Sequence, residues 1–279
     1  MKIINKILKI MLVLAFAFII RNKSLANENL INEFLQEQNE NVDYFYETGQ
    51  ISEKKEYESL EEIYNDFVKL NGNVFESFKD YKAFCIESMI AKHEIEETID
   101  DDNLLQPSSV INKSKFYTGD IVVTNATSSF GLTGHAGFVI DNNLVLTANK
   151  KRYCPFVEKF ENWIKQARDE GGWIQIIRPK DKALSTHRHI AKTWALNKYT
   201  INKNGEPVGR TDIIYRITPE LQLTNPTYCS KIPFQAYKFG AKIGHDLPSK
   251  NTIIIPYKLK DYFKDNPTSQ FEHSIKNYY

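Results

Sequence analysis

Cysteine is scarce in this chain: Cys85, Cys154 and Cys229 are the three in 279 residues. That excludes a disulfide framework, and an odd count leaves at least one thiol free or paired between molecules. A Cys85–Cys154 bridge stays open, with Cys85 among Phe84, Ile86 and Met89 and Cys154 after a basic turn. Histidine is also sparse. His187 and His189 stand two apart with no Cys or acidic partner at ligand spacing, and helical residues two apart face different ways. No metal site is therefore expected. His93 beside Glu94, Glu96 and Glu97 reads as a solvated helix face, and His245-Asp246 as part of a turn. There is no glycine-rich phosphate loop, no internal repeat and no low-complexity tract. Beyond residue 20 no run is apolar enough to span a bilayer.

Each half of the chain is short of one sign of charge. Residues 27–110 hold 21 Asp/Glu against 6 Lys/Arg, and residues 111–279 hold 14 against 25. A split of this size predicts two units that face each other or meet different partners. The first 26 residues differ from both. Lys2, Lys6 and Lys9 precede an apolar run from Ile10 to Ile20, and Ser24-Leu25-Ala26 forms a small-x-small site. This is the pattern of a signal peptide cut after Ala26, with an uncleaved anchor as the alternative. The expected location is secreted or in the cell envelope. There the basic half suits anionic cell-wall polymers and peptide carboxylates rather than nucleic acid, with peripheral wall or membrane association.

Residues 27–110 read as an acidic helical region followed by a linker. Apolar stripes recur at helical spacing near Leu30, from Glu58 to Leu70, and from Phe75 to Ile90. The run from Glu96 to Asp102, followed by Gln106-Pro-Ser-Ser109, reads as the linker. From residue 111 to 279 the pattern turns to strands. Ile121–Thr124 follows Gly119-Asp120, and His135–Ile140 joins Leu144–Ala148 through Asp141-Asn142-Asn143, a hairpin signal. Val157–Ala167 reads as a helix around Trp163, and Trp173–Ile177 as a strand. Ser185 is placed as N-cap of a helix through Ile190, Trp194 and Ala195, followed by a polar loop around Gly205.

The chemistry concentrates on two residues. Asn225-Pro-Thr227 turns the chain into Cys229, after which Ile232, Ala236, Tyr237 and Gly240 recur on one helical face. A thiol at a helix start sits near unpaired N–H groups, which predicts a lowered pKa and a reactive thiolate. His135 begins a strand between Gly134 and Ala136-Gly137, small neighbours that leave room for a substrate and a thiol. Cysteine catalysis needs such an imidazole to take the proton from sulfur and return it to the leaving group.

Gly119-Asp-Ile-Val, Gly134-His-Ala-Gly-Phe-Val-Ile and Tyr228-Cys-Ser-Lys-Ile-Pro-Phe-Gln-Ala-Tyr, in that order, resemble the circularly permuted NlpC-type papain-like cysteine hydrolases (YiiX/YaeF/YebB-like amidases). Gly244-His-Asp-Leu and Ile255-Pro-Tyr-Lys-Leu resemble that family's closing segment, so the likeness covers roughly residues 112–265. It implies an α+β fold with an antiparallel sheet against a Cys-bearing helix, and no metal or organic cofactor. It makes Cys229 the nucleophile, His135 the base, and Tyr228 an aromatic that lines the site. Asp120 is assigned to the turn.

One slot departs from the family pattern. Where the family carries His or Glu to orient the imidazole, this chain has Thr147, with Asn149 and then Glu158 as alternatives. The implied activity is hydrolysis of an amide, in cell-wall peptides, through an acyl-enzyme. The alternatives are a lipid- or ester-directed thiol hydrolase or acyltransferase, and a wall-binding protein that keeps the scaffold.

Overall fold

The computed structural model describes residues 23–40, 42, 54–103, 117–126, 133–170, 172–179, 184–243, 252–263 and 269–274. Residues 1–22 of the proposed leader, residues 104–109 of the expected linker and His245-Asp246 lie outside them. Three helices come first: α1 over 23–40, α2 Leu60–Asn71 and α3 Phe78–Asn103. Ser59 caps α2, its side chain accepting the N–H of Glu62. The chain from Glu96 to Asp102, read as linker, is instead part of the end of α3. No helix among the described residues is long and apolar enough to cross a membrane.

The rest is built on an antiparallel sheet. Its strands are β1 Ile121–Thr124, β2 His135–Asp141, β3 Leu144–Ala148, β4 Pro155–Lys159, β5 Ile174–Pro179 and β8 Ser269–Ser274, in the order β4-β3-β2-β1-β5-β8. Helix α4, Phe160–Asp169, lies between β4 and β5 in sequence, and α5, Leu184–Tyr199, follows β5. A small hairpin, β6 Thr200–Lys203 and β7 Glu206–Gly209, comes next. Then come α6 Lys231–Gln235, a π-helical turn Ala236–Ala241 and a 3-10 segment Pro256–Phe263. This is the expected α+β class with an antiparallel sheet.

Several expected boundaries move. The helix foreseen over 157–167 begins only at Phe160, because Pro155–Lys159 pairs with β3. Ser185 lies inside α5, which starts at Leu184. All three cysteines are free, so there is no Cys85–Cys154 bridge.

β1 is central and buried throughout, which explains its unbroken apolar run. Strand alternation divides β2 between two layers. Ala136, Phe138 and Ile140 join the larger core with Tyr228, Cys229, Ile232 and Tyr237, and that core continues into Phe34, Phe67 and Tyr81 of the N-terminal helices. Val139 joins a smaller core with Val122, Val145, Ile174 and Ile176, covered by Phe160, Trp163 and Ala167 of α4.

Acidic α3 meets the basic segment after the sheet. Glu94 pairs with Lys260 at 3.1 Å and Glu87 with Lys258, while Glu96 accepts the indole N–H of Trp173 at 3.0 Å. Exposed pairs of this kind contribute about 0–1 kcal/mol each, so the shared apolar core dominates the contact.

Asp120 has the structural role expected of it, with more partners than a turn alone requires. Its buried carboxylate accepts the N–H of Tyr117 at 2.9 Å and two guanidinium bonds from Arg178 at 2.8 and 2.7 Å. Arg188 stands 3.8 Å away. The backbone of Gly119-Asp120 exchanges hydrogen bonds with Val139, which fixes the entry to β1 against β2.

Candidate active site

The site lies where β2 begins and where the chain enters α6. Cys229 is fully buried and His135 is 4% exposed. The backbone N–H of Ala136, in the peptide group that joins His135 to Ala136, and the N–H of Ser230 lie near enough to the sulfur to favour its thiolate. Ser230 is held by its hydroxyl, which donates to Ile254 O at 2.6 Å. The thiol thus sits beside the peptide that follows the residue carrying the imidazole.

The imidazole is fixed from two sides. Its ring stacks on Trp163 of α4 with centroids 5.0 Å apart and planes 18° from parallel. Its Nε2 lies 3.0 Å from Thr147 Oγ1, and that hydroxyl donates its single proton to Ala136 O at 2.7 Å. The oxygen can therefore only accept from Nε2–H. That leaves the lone pair on Nδ1, the tautomer required of a base. Each of these buried polar groups would cost about 1–3 kcal/mol if left without its partner.

Thr147 occupies the place the register gave it, on the strand next to β2. The other two candidates do not reach the ring. Asn149 falls beyond β3, where its side chain accepts the N–H of Arg152 at 3.0 Å and its carbonyl accepts the N–H of Tyr153. Glu158 is opposite Val145 on β4, with Asn162 near its carboxylate. Tyr228 is buried, with its phenol oxygen accepting the N–H of Ile254 at 2.9 Å. That bond ties the phenol to the closing segment and leaves its O–H proton unused.

The small residues around His135 do not leave open space. A Cβ on Gly137 would lie 2.4 Å from Val145 Cγ1 and 2.9 Å from Trp163 Cζ2. A Cβ on Gly134, where φ is +73°, would lie 2.5 Å from the ring of Tyr257. Both glycines make way for aromatic rings that sequence reasoning left out of the site. The available signal was a histidine flanked by two glycines, which marks close approach of neighbours as readily as an empty groove.

Burial also reverses the expected ionisation. It pushes the Cys229 thiol up to about 11, against the smaller opposing effect of the N–H groups of Ala136 and Ser230. It pulls His135 down to about 3. At neutral pH the pair rests as thiol and neutral imidazole. The helix behind Cys229 has only five residues, and its first-turn N–H groups do not outweigh removal from water. Alkylation of Cys229 by iodoacetamide should therefore quicken about tenfold per pH unit from 7 to 10, as the thiolate fraction grows. A rate that is flat above pH 7, followed by peptide mass mapping, would contradict a resting thiol.

A buried thiol beside the peptide that follows His135, and an imidazole whose tautomer Thr147 sets, suit a papain-like cysteine enzyme. Comparison with known proteins agrees with the class and narrows it. Residues 78–272 match the family described as "Lipoprotein N-acylation protein LnsA-like", and the chain belongs to that family, within the papain-like cysteine hydrolase superfamily. A protein of Bacillus thuringiensis described as an "Uncharacterized 30.3 kDa protein" is 34% identical over 161 residues. The match covers 58% of this chain and 57% of that one, so the chain spans little more than half of that relative's length. No solved structure matches.

Proposed function

We propose that this protein is a cysteine acyltransferase that moves an acyl chain from an ester donor to an amine, with Cys229 carrying the acyl group. The cell-wall amidase expectation gives way to its acyl-transfer alternative, because the family is described by N-acylation. One observation carries the reading: the nucleophile and base of a member of this family are almost fully buried. A thioester in such a place is shielded from water, so an amine can take the acyl group before hydrolysis does. The order of the site, imidazole strand before cysteine, suits a permuted papain-like connection. The leader-like residues 1–26 suit work outside the cytoplasmic membrane, at a bilayer that supplies acyl esters.

In the first half-reaction the sulfur attacks the ester carbonyl as His135 Nδ1 takes the thiol proton. The carbonyl π pair moves to oxygen and is stabilised by the backbone N–H of Cys229. Collapse restores the carbonyl and expels the alkoxide, which receives the proton from His135 and leaves as an alcohol. In the second half an amine attacks the thioester and His135 takes an N–H proton. The proton then returns to the departing sulfur, leaving an amide and a free thiol. Thr147 accepts Nε2–H throughout but cannot neutralise imidazolium as a carboxylate would, which suits proton transfer concerted with attack.

The test is to incubate the protein with vesicles of a phospholipid carrying labelled acyl chains and, separately, with muropeptides. A hydroxylamine-sensitive acyl adduct on Cys229, passed on to an added amino-terminal lipopeptide, is the expected result. Muropeptide cleavage with no adduct from any ester would overturn the reading.

A further inference from the structure

The acyl-transfer mechanism leaves one buried polar group at the site without a task. Tyr257, at the start of the 3-10 segment, is 1% exposed, and its hydroxyl has no hydrogen-bond partner among the described residues. Natural cores rarely leave a phenol O–H unpaired, since each such group costs about 1–3 kcal/mol. The ring lies over Trp173, with centroids 5.6 Å apart. The hydroxyl stands against Gly134, 2.8 Å from where a Cβ would be, and Gly134 is the residue immediately before His135. The chain just ahead of Tyr257 is tied to the nucleophile's segment: Ser230 donates to Ile254 O, and Ile254 N–H donates to Tyr228.

We propose that Tyr257 is a further catalytic residue of the acyl-transfer reaction, its hydroxyl donating to the oxyanion that forms when Cys229 adds to the acyl carbonyl. The assignment rests on the acyl-transfer reading and adds a side-chain donor to the backbone N–H of Cys229. Three observations meet on it: an unpaired donor, its place beside the peptide that precedes the imidazole, and a glycine whose missing side chain makes that place available.

The charge around the phenol fits the role. Burial holds its pKa well above the usual range, and Glu37, Glu96, Glu33 and Cys229 add to the effect. The proton is therefore present at every working pH. The three glutamates are held by Lys92, which bonds Glu33 at 2.8 Å, pairs with Glu37, and lies 3.9 Å from Glu96. Glu96 is held further by the indole of Trp173. Lys92 thus offsets part of the negative charge near the phenol before an oxyanion forms.

The experiment separates addition to a carbonyl from simple reactivity of the thiol. Alkylation by iodoacetamide forms no oxyanion, whereas acylation by a p-nitrophenyl fatty acyl ester does. Tyr257→Phe should acylate Cys229 on the order of 10²-fold more slowly, the loss usual for one oxyanion donor. Its alkylation rate and melting temperature should stay as in the parent, because the lost hydroxyl has no partner among the described residues. Replacing Tyr257 with 3-fluorotyrosine keeps a donor and should keep acylation near the parent rate. Parent-like acylation by Tyr257→Phe would overturn this assignment alone. An equal fall in both rates would also overturn it, since Tyr257 would then only position Cys229. Failure of the parent protein to acylate at all would overturn the acyl-transfer reading, and this assignment with it.

Discussion

Replacing Cys229 with alanine is expected to abolish the acyl adduct and to slow transfer by on the order of 10⁴- to 10⁶-fold, the scale for removing a nucleophile that acts as a unit with its base. The fold should survive. The side chain lost is one sulfur in a core that includes Tyr228, Ile232 and Tyr237, and the hydroxyl of Ser230 still holds the turn to Ile254. Single-turnover acylation with mass detection measures the loss, and thermal melting checks that the variant is folded. A Cys229→Ala protein that transfers acyl groups at more than a hundredth of the parent rate would remove the covalent mechanism. Cys85 and Cys154 offer no substitute, since Cys85 is buried with the N-terminal helices and Cys154 lies just before β4.

The largest stability effect should come from Asp120→Ala, expected to cost about 3–5 kcal/mol. The wild-type carboxylate is wholly buried and holds Arg178 through two bonds. Arg178 is itself buried and stacks over Tyr117, with its guanidinium carbon 4.2 Å from the ring centre. Removing the acid leaves that cation in the interior with its principal counter-charge gone, which is far worse than removing both partners. Asp120→Ala combined with Arg178→Met should therefore recover much of the loss. Urea denaturation of the three proteins reads this directly. A single-variant loss below about 1 kcal/mol would show that the pair is hydrated and weak. The activity of folded Asp120→Ala should change little, since the carboxylate orders the start of β1 and does not face Cys229.

The parts of this molecule legible in the sequence are those where local pattern and burial agree. Ile121–Thr124, His135–Asp141 and Leu144–Ala148 announce themselves by apolar runs and by the Asp-Asn-Asn turn between the last two. Thr147 is singled out by the family's spacing, twelve residues after His135, and the pairing of Phe138 with Leu146 carries it opposite Gly137, two residues from the imidazole. The strand at Pro155–Lys159 was hidden because its apolar residues also continue the helical period of α4. The hairpin at 200–209 did carry a signal. Asn204 and Gly205 both have positive φ, as a two-residue hairpin turn requires, and Asn-Gly is the preferred pair for it.

In the site, residue types revealed Cys229 and His135, but not their protonation. A helix-start thiol reads as activated only while its solvent exposure is unknown, and exposure is a property of the whole packing. Tyr257 was beyond reach for a related reason. It lies 28 residues after the cysteine, in a segment that reads as closing structure, and only the folded chain brings its hydroxyl beside Gly134.

The raised pKa of Cys229 has a consequence for the protein's durability. Peroxides and disulfides attack thiolates, and a low-pKa cysteine is the usual first casualty of oxidation to sulfenic acid. A sulfur that stays protonated at rest, with no exposed surface, exposes almost no thiolate to such reagents. Neither remaining cysteine is bonded to it, so no internal disulfide withdraws the nucleophile. The same burial that slows the resting thiol therefore also guards it from oxidants.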